Sequence, residues 1–150
     1  MTVAVSRAKN ACTQLQGMMM AKTVITFGTF DVFHIGHLNI LARAKMLGDR
    51  LIVGVSTDAL NYSKKSRYPV FKESDRANIV RALYCVDEVF FEESLELKGE
   101  YIRKYEADLL VMGNDWEGKF DHFGSLCQVS YLPRTENIST TEILQAVRAG

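Results

Sequence analysis

The sequence has no excess of charge of either sign. Its 150 residues carry 18 basic and 18 acidic side chains, and the net charge at pH 7 is zero. A balanced chain has no general basic surface for nucleic acid, so any anion site must be local. No apolar run approaches the roughly 20 residues of a membrane span, and the N-terminal stretch lacks the apolar core of a secretory signal. We therefore expect neither a nucleic-acid partner nor a membrane association.

Cysteine is also scarce. The three cysteines, Cys12, Cys85 and Cys127, are widely spaced and include no C-x-x-C pair. An odd, scattered set argues against a disulfide framework and against a zinc site. Free thiols in a reducing compartment are the simpler interpretation, and we expect a cytoplasmic protein.

The order of apolar runs and amphipathic segments predicts the fold. Residues 1–20 are interpreted as an N-terminal extension, and residues 21–150 as one catalytic domain. Strands and helices alternate, which predicts an α/β Rossmann-like fold, a doubly wound parallel sheet with helices on both faces. Strands are predicted at 24–27, 51–56, 86–91, 109–112 and 127–132, helices at 37–47, 74–86, 95–106 and 139–147, and a polar loop at 57–72.

A short loop after the first strand carries the first candidate site. The strand runs into G-T-F-D and then into H-I-G-H, residues 34–37, where a helical pattern begins. A helix N-terminus offers free N–H groups and a positive dipole end, which together suit a phosphate. Two imidazoles there can donate hydrogen bonds to phosphate oxygens, and Gly36 allows close approach of the backbone. The alternative is a pair of structural histidines beside a helix start.

A second candidate site precedes the last helix. Residues 134–141 read R-T-E-N-I-S-T-T. Arg134 presents a planar fork to phosphate oxygens, and Ser139 and Thr140 supply hydroxyl and N–H groups at a helix N-terminus. Because the carboxyl ends of parallel strands share one edge, this loop, the loop at Asp115 and the H-x-G-H loop can meet at one crevice.

The two motifs together resemble the cytidylyltransferases of the H-x-G-H nucleotidylyltransferase superfamily, with their R-T-x-G-I-S-T-T signature. M-G-N-D-W-E-G-K-F-D at residues 112–121 narrows the resemblance to the glycerol-3-phosphate branch of teichoic-acid synthesis, and the similarity covers about residues 22–147. The resemblance implies transfer of CMP from CTP to glycerol 3-phosphate by a homodimer, with release of pyrophosphate. The same chemistry on another phosphorylated acceptor or with ATP, and a CTP-binding module without turnover, are the alternatives.

The resemblance also implies roles for individual residues. Catalysis falls to His34, His37, Lys65 and Arg134. Nucleotide binding falls to Thr29, Phe30, His34, Ile35, Gly36, His37, Arg67, Asp115, Arg134, Thr135, Glu136, Asn137, Ile138, Ser139, Thr140 and Thr141. Acceptor binding falls to Lys65, Arg76 and Lys98.

Three positions depart from the family pattern, the first being Asn114, where the family often has Asp. Asn137 stands where the signature has glycine, and Asn tolerates positive φ better than most residues. Tyr84 stands where an arginine is usual, and Arg81, about one turn earlier, is the nearest substitute. The identity of the acceptor depends on that position.

The chemistry implied needs no protein nucleophile and no general base, because a phosphate acceptor is already an anion. Positioning and charge neutralisation are the expected sources of catalysis. Mg²⁺ is expected on the triphosphate, held mainly by phosphate oxygens and water, with Asp31 or Asp115 able to orient it.

Overall fold

The sheet is parallel throughout and has its first strand at the centre. A computed structural model describes residues 21–150, so the predicted extension at 1–20 lies outside the described residues. Five strands are found in this part of the chain, in the spatial order β3-β2-β1-β4-β5. They are β1 (Thr23–Gly28), β2 (Arg50–Ser56), β3 (Glu88–Glu92), β4 (Leu109–Gly113) and β5 (Gln128–Leu132).

Apolar, often β-branched residues form the inner strands because both faces of the sheet are covered. Nearly every residue of β1, β2 and β4 is buried, as expected for a parallel sheet between two layers of helices. The register is continuous from Ile52 through Ile25 to Leu110. The predicted α/β Rossmann-like, doubly wound sheet is thus confirmed.

Helices cover both faces. They are α1 (Ile35–Met46), α2 (Asp58–Lys65), α3 (Glu73–Arg81), α4 (Lys98–Lys104) and α5 (Thr140–Ala149). Leu41 of α1 and Val80 of α3 belong to the core on one face of the sheet. Ile102 of α4 belongs to the other core, together with Phe120 from the loop before β5.

The chain reverses direction across the sheet between β1 and β4. From β1 it proceeds outward through β2 to β3, then returns to pair β4 with the free side of β1. Loops from adjacent carboxyl ends separate at such a reversal and leave a crevice, which is where ligands bind in open α/β sheets. The H-x-G-H loop follows β1, and the Asp115 turn follows β4, at this crevice.

The predicted loop at 57–72 is wrong over its first half, which is helix α2. Thr57 caps this helix by accepting a hydrogen bond from the N–H of Leu60 at 3.1 Å, and Leu60 and Asn61 are buried. Ser66 ends it with φ of 55°, and residues 66–72 form the loop. A single short helix with two buried positions leaves too weak an apolar period to be seen in the sequence.

The helix predicted at 74–86 is found as α3, which begins one residue earlier, at Glu73, and ends at Arg81. Its N-cap is Lys72, which makes no side-chain capping bond. The chain turns between α3 and β3, and Tyr84 in this turn is 85% exposed. The turn lies at the amino ends of the strands, where Asp87 N–H bonds to the carbonyl of Leu51. Tyr84 is therefore on the edge opposite the crevice of its own chain. Arg81 donates to Asn78 there and takes no part in the crevice.

The predicted helix at 95–106 begins as a 3-10 turn, Leu95–Leu97, and becomes α-helical only in α4. Ser94 caps this turn through Glu96 N–H. The predicted final helix is confirmed, with Ser139 as its N-cap.

Candidate active site

The two histidines of the H-x-G-H motif build the start of α1. His34 is the N-cap residue, and its Nδ1 accepts a hydrogen bond from Gly36 N–H at 3.0 Å. The Nδ1 of His37 accepts from the backbone N–H of His34 at 3.2 Å. Histidines thus make the reciprocal bonds that Ser and Glu make in a capping box. Because His34 itself is the cap, α1 begins at Ile35, two residues before its predicted start.

These bonds fix the tautomer of both rings. A backbone N–H can only donate, so each Nδ1 must be an unprotonated acceptor, and each neutral ring carries its proton on Nε2. The rings stack with centroids 3.8 Å apart. Each Nε2–H is left as a donor for a ligand.

Both imidazoles are held in the neutral form. Burial lowers the pKa of His37 to about 4, with the neighbouring His34 and Arg134 adding to the effect and Asp31 opposing it. Burial, and then Arg134, lowers the pKa of His34. Near pH 7 the site therefore offers two neutral N–H donors.

Gly36 is required by the close packing of the ring in front of it. A Cβ atom at this position would lie 2.8 Å from Cε1 and 2.9 Å from Nδ1 of His34. The bond from Gly36 N–H to that ring could not persist beside a side chain. The glycine of H-x-G-H thus serves the first imidazole as well as the ligand.

Arg134 lies at the same crevice as the imidazoles. The residues on either side of it are hydrogen-bonded to α1, Pro133 O to Arg43 at 3.3 Å and Thr135 Oγ1 to Asn39 at 3.0 Å, and its charge lowers the pKa of both His34 and His37. Arg134 lies 3.7 Å from the carboxylate of Asp115, and both side chains are about half exposed. Residues separated by 100 positions in the chain thus share one cleft, as predicted from the topology.

The signature loop is fastened to the H-x-G-H loop and to α1. The Thr140 hydroxyl donates to the Asp31 carbonyl at 2.9 Å, and the Asn39 amide donates to the Thr135 hydroxyl at 3.0 Å. Ile138 lies 3.4 Å from where a Cβ on Gly36 would be. The N-terminus of α5 is thereby held beside that of α1, and two positive dipole ends face one cleft.

Asn137 has φ of 60°, which is the left-handed conformation that the family glycine would adopt freely. The prediction that Asn preserves this turn is confirmed. Ser139 accepts from Glu142 N–H at 3.1 Å and caps the helix, while Glu136 and Thr141 are exposed at the edge of the loop.

The residues after β1 that are predicted to bind nucleotide differ in how far their side chains are exposed to the cleft. The Thr29 hydroxyl donates to Asn61 Oδ1 at 2.8 Å. Phe30 is only 6% exposed, and its ring packs against His37 at 5.5 Å between centroids. Only the backbone of Phe30 can therefore line the pocket. Ile35 is half exposed at the mouth.

The two lysines at the end of α2 are not equivalent. Burial around its ammonium lowers the pKa of Lys64, opposed by Glu92 and assisted by Lys98 and Lys65. Both lysines are nevertheless exposed on the last turn of α2. Lys65 and Arg67 are exposed at the end of α2 and in the following loop, and their predicted roles remain predictions.

Lys98 is buried beneath the crevice. Its ammonium pairs with the carboxylate of Glu92, and each side chain is 2% exposed. The ammonium also lies 4.2 Å from the ring centroid of Phe27, a cation–π contact. Burial lowers the pKa of Lys98, and Glu92 opposes that shift.

Arg76 is a structural residue in this fold, and its predicted contact with the acceptor needs correction. The side chain is 0% exposed and donates to the carbonyls of Phe71, Thr29 and Ser56 at 2.7–2.9 Å. Its remaining terminal nitrogen pairs with Asp58 at 2.7 Å. With all three nitrogens engaged, the guanidinium connects loops below the crevice instead of meeting substrate.

Three residues of this site carry no motif and were missed in the sequence. They are Asn61, Glu92 and Lys64. Asn61 joins the Thr29 hydroxyl to the carbonyls of Ser56 and Thr57, and Glu92 accepts from the Ser56 hydroxyl at 3.3 Å. An acidic residue directly after the apolar V-F-F run was the available signal for Glu92.

Within residues 21–150, no helix is long and apolar enough to cross a membrane. In the same part of the chain, no three His, Cys, Asp or Glu side chains come close enough to hold a metal ion by themselves.

A parallel α/β sheet with two helix N-termini, paired imidazole donors and an arginine at its switch point defines a nucleotidyltransferase-type site. The cytidylyltransferase-like family model matches residues 25–146, and the chain belongs to this family. It is 48% identical to glycerol-3-phosphate cytidylyltransferase of Bacillus subtilis over 127 residues, 84% of this chain and 97% of the relative. It is 43% identical to the enzyme of the same name from Staphylococcus aureus, over 83% of this chain and 93% of the relative.

A likeness of fold extends further. The crystal structure of the lipopolysaccharide core biosynthesis protein from Thermoplasma volcanium superposes with a TM-score of 0.67 at 23% identity. The superposition covers 77% of this chain and 98% of that one.

Proposed function

We propose that this chain transfers CMP from CTP to glycerol 3-phosphate, giving CDP-glycerol and pyrophosphate. The observation that carries the proposal is geometric: hydrogen bonds from Thr140 to Asp31 and from Asn39 to Thr135 hold the Arg134 loop beside the His34–His37 cap, between two helix N-termini. This is a donor set for a triphosphate, not for a neutral ligand. Relatives at 43–48% identity that carry this enzymatic name support the same reaction here.

In the proposed reaction, an oxygen of the acceptor phosphate attacks the α-phosphorus of CTP. A new P–O bond forms as the bond to the β-phosphate oxygen breaks, and pyrophosphate leaves on the opposite side. His34 and His37 donate Nε2–H to the triphosphate oxygens on which charge accumulates, and Arg134 neutralises that charge. Because the rings are fixed by their Nδ1 bonds, these donors need no reorganisation during the reaction.

The acceptor phosphate is proposed to bind beside the carboxyl end of β3. Lys98 is already paired with Glu92 at this end of β3, so the ammonium of Lys64, on the last turn of α2, is proposed to meet the acceptor phosphate. Lys65 and Arg67, exposed on the adjoining segment, are proposed to extend this cationic surface over the triphosphate.

Mg²⁺ is proposed to enter with CTP, where it neutralises charge on the phosphates. The protein donor set suits an ion held mainly by phosphate oxygens and water. Asp115, about half exposed beside Arg134, is the carboxylate available to orient its water shell. Both oxygens of Asp31 already accept backbone N–H bonds, so Asp31 is less suited to this task.

The test is a comparison of nucleotides and acceptors. CTP or ATP is incubated with Mg²⁺ and glycerol 3-phosphate, with other phosphorylated alcohols, or with glycerol, and products are followed by phosphorus-31 NMR. CDP-glycerol and pyrophosphate in equal amounts, with CTP preferred, are expected. Equal or faster use of ATP would indicate an adenylyltransferase, and CTP binding without product would indicate a binding module.

The cellular setting is also a proposal. CTP and a phosphorylated small alcohol are the proposed partners, in the cytoplasm. The free thiols of Cys85 and Cys127 suit a reducing compartment. A homodimer is proposed from the family resemblance, and sedimentation equilibrium of the full chain tests it.

A further inference from the structure

Asp31 uses both oxygens of its carboxylate to hold the loop at 66–72. Oδ2 accepts a hydrogen bond from Val70 N–H at 2.7 Å, and Oδ1 accepts from Phe71 N–H at 2.9 Å. Hydrogen bonds to an ionised carboxylate are about twice as strong as those between neutral groups. The two bonds join the end of β1 to a segment about 40 residues later in the chain.

The same loop is held from its other side. The carbonyl of Phe71 accepts from Arg76 Nε at 2.9 Å, and Nη1 of Arg76 reaches back to the carbonyl of Thr29 at 2.7 Å. Asp31 and Arg76 both bond to the backbone of Phe71, and both connect it to the turn after β1.

The backbone around Asp31 is strained. Phe30 has φ of 55° and Val32 has φ of 47°, although neither is glycine and Val32 is β-branched. A strained residue of this kind persists only where its surroundings over-determine it. The Asp31 carbonyl accepts from Thr140, so this turn faces the signature loop with its backbone and the 66–72 loop with its side chain.

The loop is connected in turn to the lysines of α2. Tyr68 stacks on Tyr62 of that helix, with ring centroids 4.7 Å apart. Asp58, at the start of α2, and Glu73, at the start of α3, join the two ends of this segment, because each carboxylate accepts a hydrogen bond from the other residue's backbone N–H. A continuous set of contacts thus runs from Asp31 to the end of α2, where Lys64 and Lys65 lie.

We propose that Asp31 is a positioning residue: it fastens the 66–72 loop and so sets where Lys64 and Lys65 lie relative to the triphosphate. The inference rests on the proposed function for its kinetic consequence. Without this clamp, the pair of hydrogen bonds from Val70 and Phe71 to Asp31, the loop holds the lysines in the binding position only part of the time. The apparent affinity for substrate then falls in proportion to that fraction. Substrate at saturation restores the binding position, so KM rises while kcat is largely kept.

The experiment compares Asp31→Ala and Asp31→Asn with Asp75→Asn, which removes the same charge from an exposed position on α3. Three quantities are measured: tryptic cleavage after Lys65 or Arg67 without substrate, kcat and KM for both substrates, and the Mg²⁺ concentration for half-maximal rate. Asp31→Ala is expected to be cleaved about tenfold faster and to show KM about tenfold higher, with kcat within about threefold of wild type. Asp31→Asn should lie between, since an amide oxygen still accepts one bond, and the Mg²⁺ requirement should not change.

Unchanged cleavage with a raised Mg²⁺ requirement would overturn the proposal, and so would a loss confined to kcat. If Asp31→Ala does not fold, Tyr68→Ala breaks the connection without touching the turn and should give the same rise in KM. If the wild type does not turn over CTP, the proposed function fails. The clamp is then judged by cleavage alone, and wild-type cleavage rates in folded Asp31 variants would refute it.

Discussion

His37 Nδ1 accepts a hydrogen bond from the backbone N–H of His34 at 3.2 Å. The two nitrogens of this imidazole therefore have separate tasks. Nδ1 completes the helix cap and holds the ring, while Nε2 is left to meet the ligand. His34 divides its nitrogens in the same way through Gly36. The motif is at once the structural start of α1 and a pair of fixed rings, so the structural interpretation of these histidines is confirmed and leaves room for the catalytic one, which stays a prediction.

Replacing His37 by Asn separates these two tasks. Asn Oδ1 can accept the capping bond that Nδ1 accepts, but the variant has nothing at the Nε2 position. We expect a free energy of unfolding within about 2 kcal/mol of wild type and a fall in kcat of about 10²–10³, as for loss of a single oxyanion donor. Urea titration and steady-state kinetics measure both. His122→Asn, at an exposed histidine outside the site, is the control. Turnover at the wild-type rate in folded His37→Asn would remove the imidazole from the mechanism.

The depressed pKa of His37 predicts a dependence of stability on pH. The unfolded imidazole titrates near 6.5, whereas the folded one titrates at about 4. Between these values the unfolded chain binds more protons, so the contribution of His37 is complete above pH 6.5 and is lost as the pH falls toward 4. The loss amounts to about 2–3 kcal/mol. Urea titrations from pH 7 to pH 4 should show this extra slope in wild type and not in His37→Asn. Equal slopes in the two proteins would mean that the ring is already charged.

Gly36→Ala should displace the first imidazole without removing it. The new Cβ would lie 2.8 Å from the His34 ring, whereas a Cβ at Gly124 meets nothing within 4 Å. We expect kcat/KM to fall about 10–100-fold in Gly36→Ala, the scale of a misplacement of about 1 Å, and to stay unchanged in Gly124→Ala. Steady-state assays with CTP varied provide the comparison. Equal activity of the two variants would show that the ring has room to adjust.

The fold and the two motifs were predictable because each depends on local pattern. Apolar runs in alternation specify a parallel sheet, and topology then brings the ends of β1, β4 and β5 together. Asn137 could be predicted in its left-handed turn for the same reason. These features need no knowledge of which side chains meet across the core.

What the sequence could not supply was the direction of single side chains. Arg76 looks like an anion ligand at a helix start, and only the fold shows three carbonyls converging on it. Which of Lys64 and Lys65 faces the crevice could not be predicted either, because adjacent residues on a helix differ by about 100° in direction and the sequence predicts a loop where α2 is found. Phe30 likewise turns into the core because its backbone has positive φ.

Substitution of Lys64 and of Lys65 tests which of these two lysines binds the acceptor. If Lys64 binds the acceptor phosphate as proposed, Lys64→Ala should raise KM for glycerol 3-phosphate about tenfold. Lys65→Ala should change the same KM by less than about threefold. Initial rates at saturating CTP give both values. A larger effect at Lys65 would support the prediction made for Lys65 from the sequence and contradict the role proposed for Lys64.

We infer that the H-x-G-H loop and the Arg134 loop, 100 residues apart, bind one triphosphate. The most direct test is kcat/KM for CTP in Arg134→Gln. The matched control is Arg103→Gln, an exposed arginine in the last turn of α4. We predict a fall of about 100-fold or more in Arg134→Gln with unchanged unfolding, and wild-type kinetics in Arg103→Gln. A folded Arg134→Gln protein that uses CTP as efficiently as wild type would contradict the account.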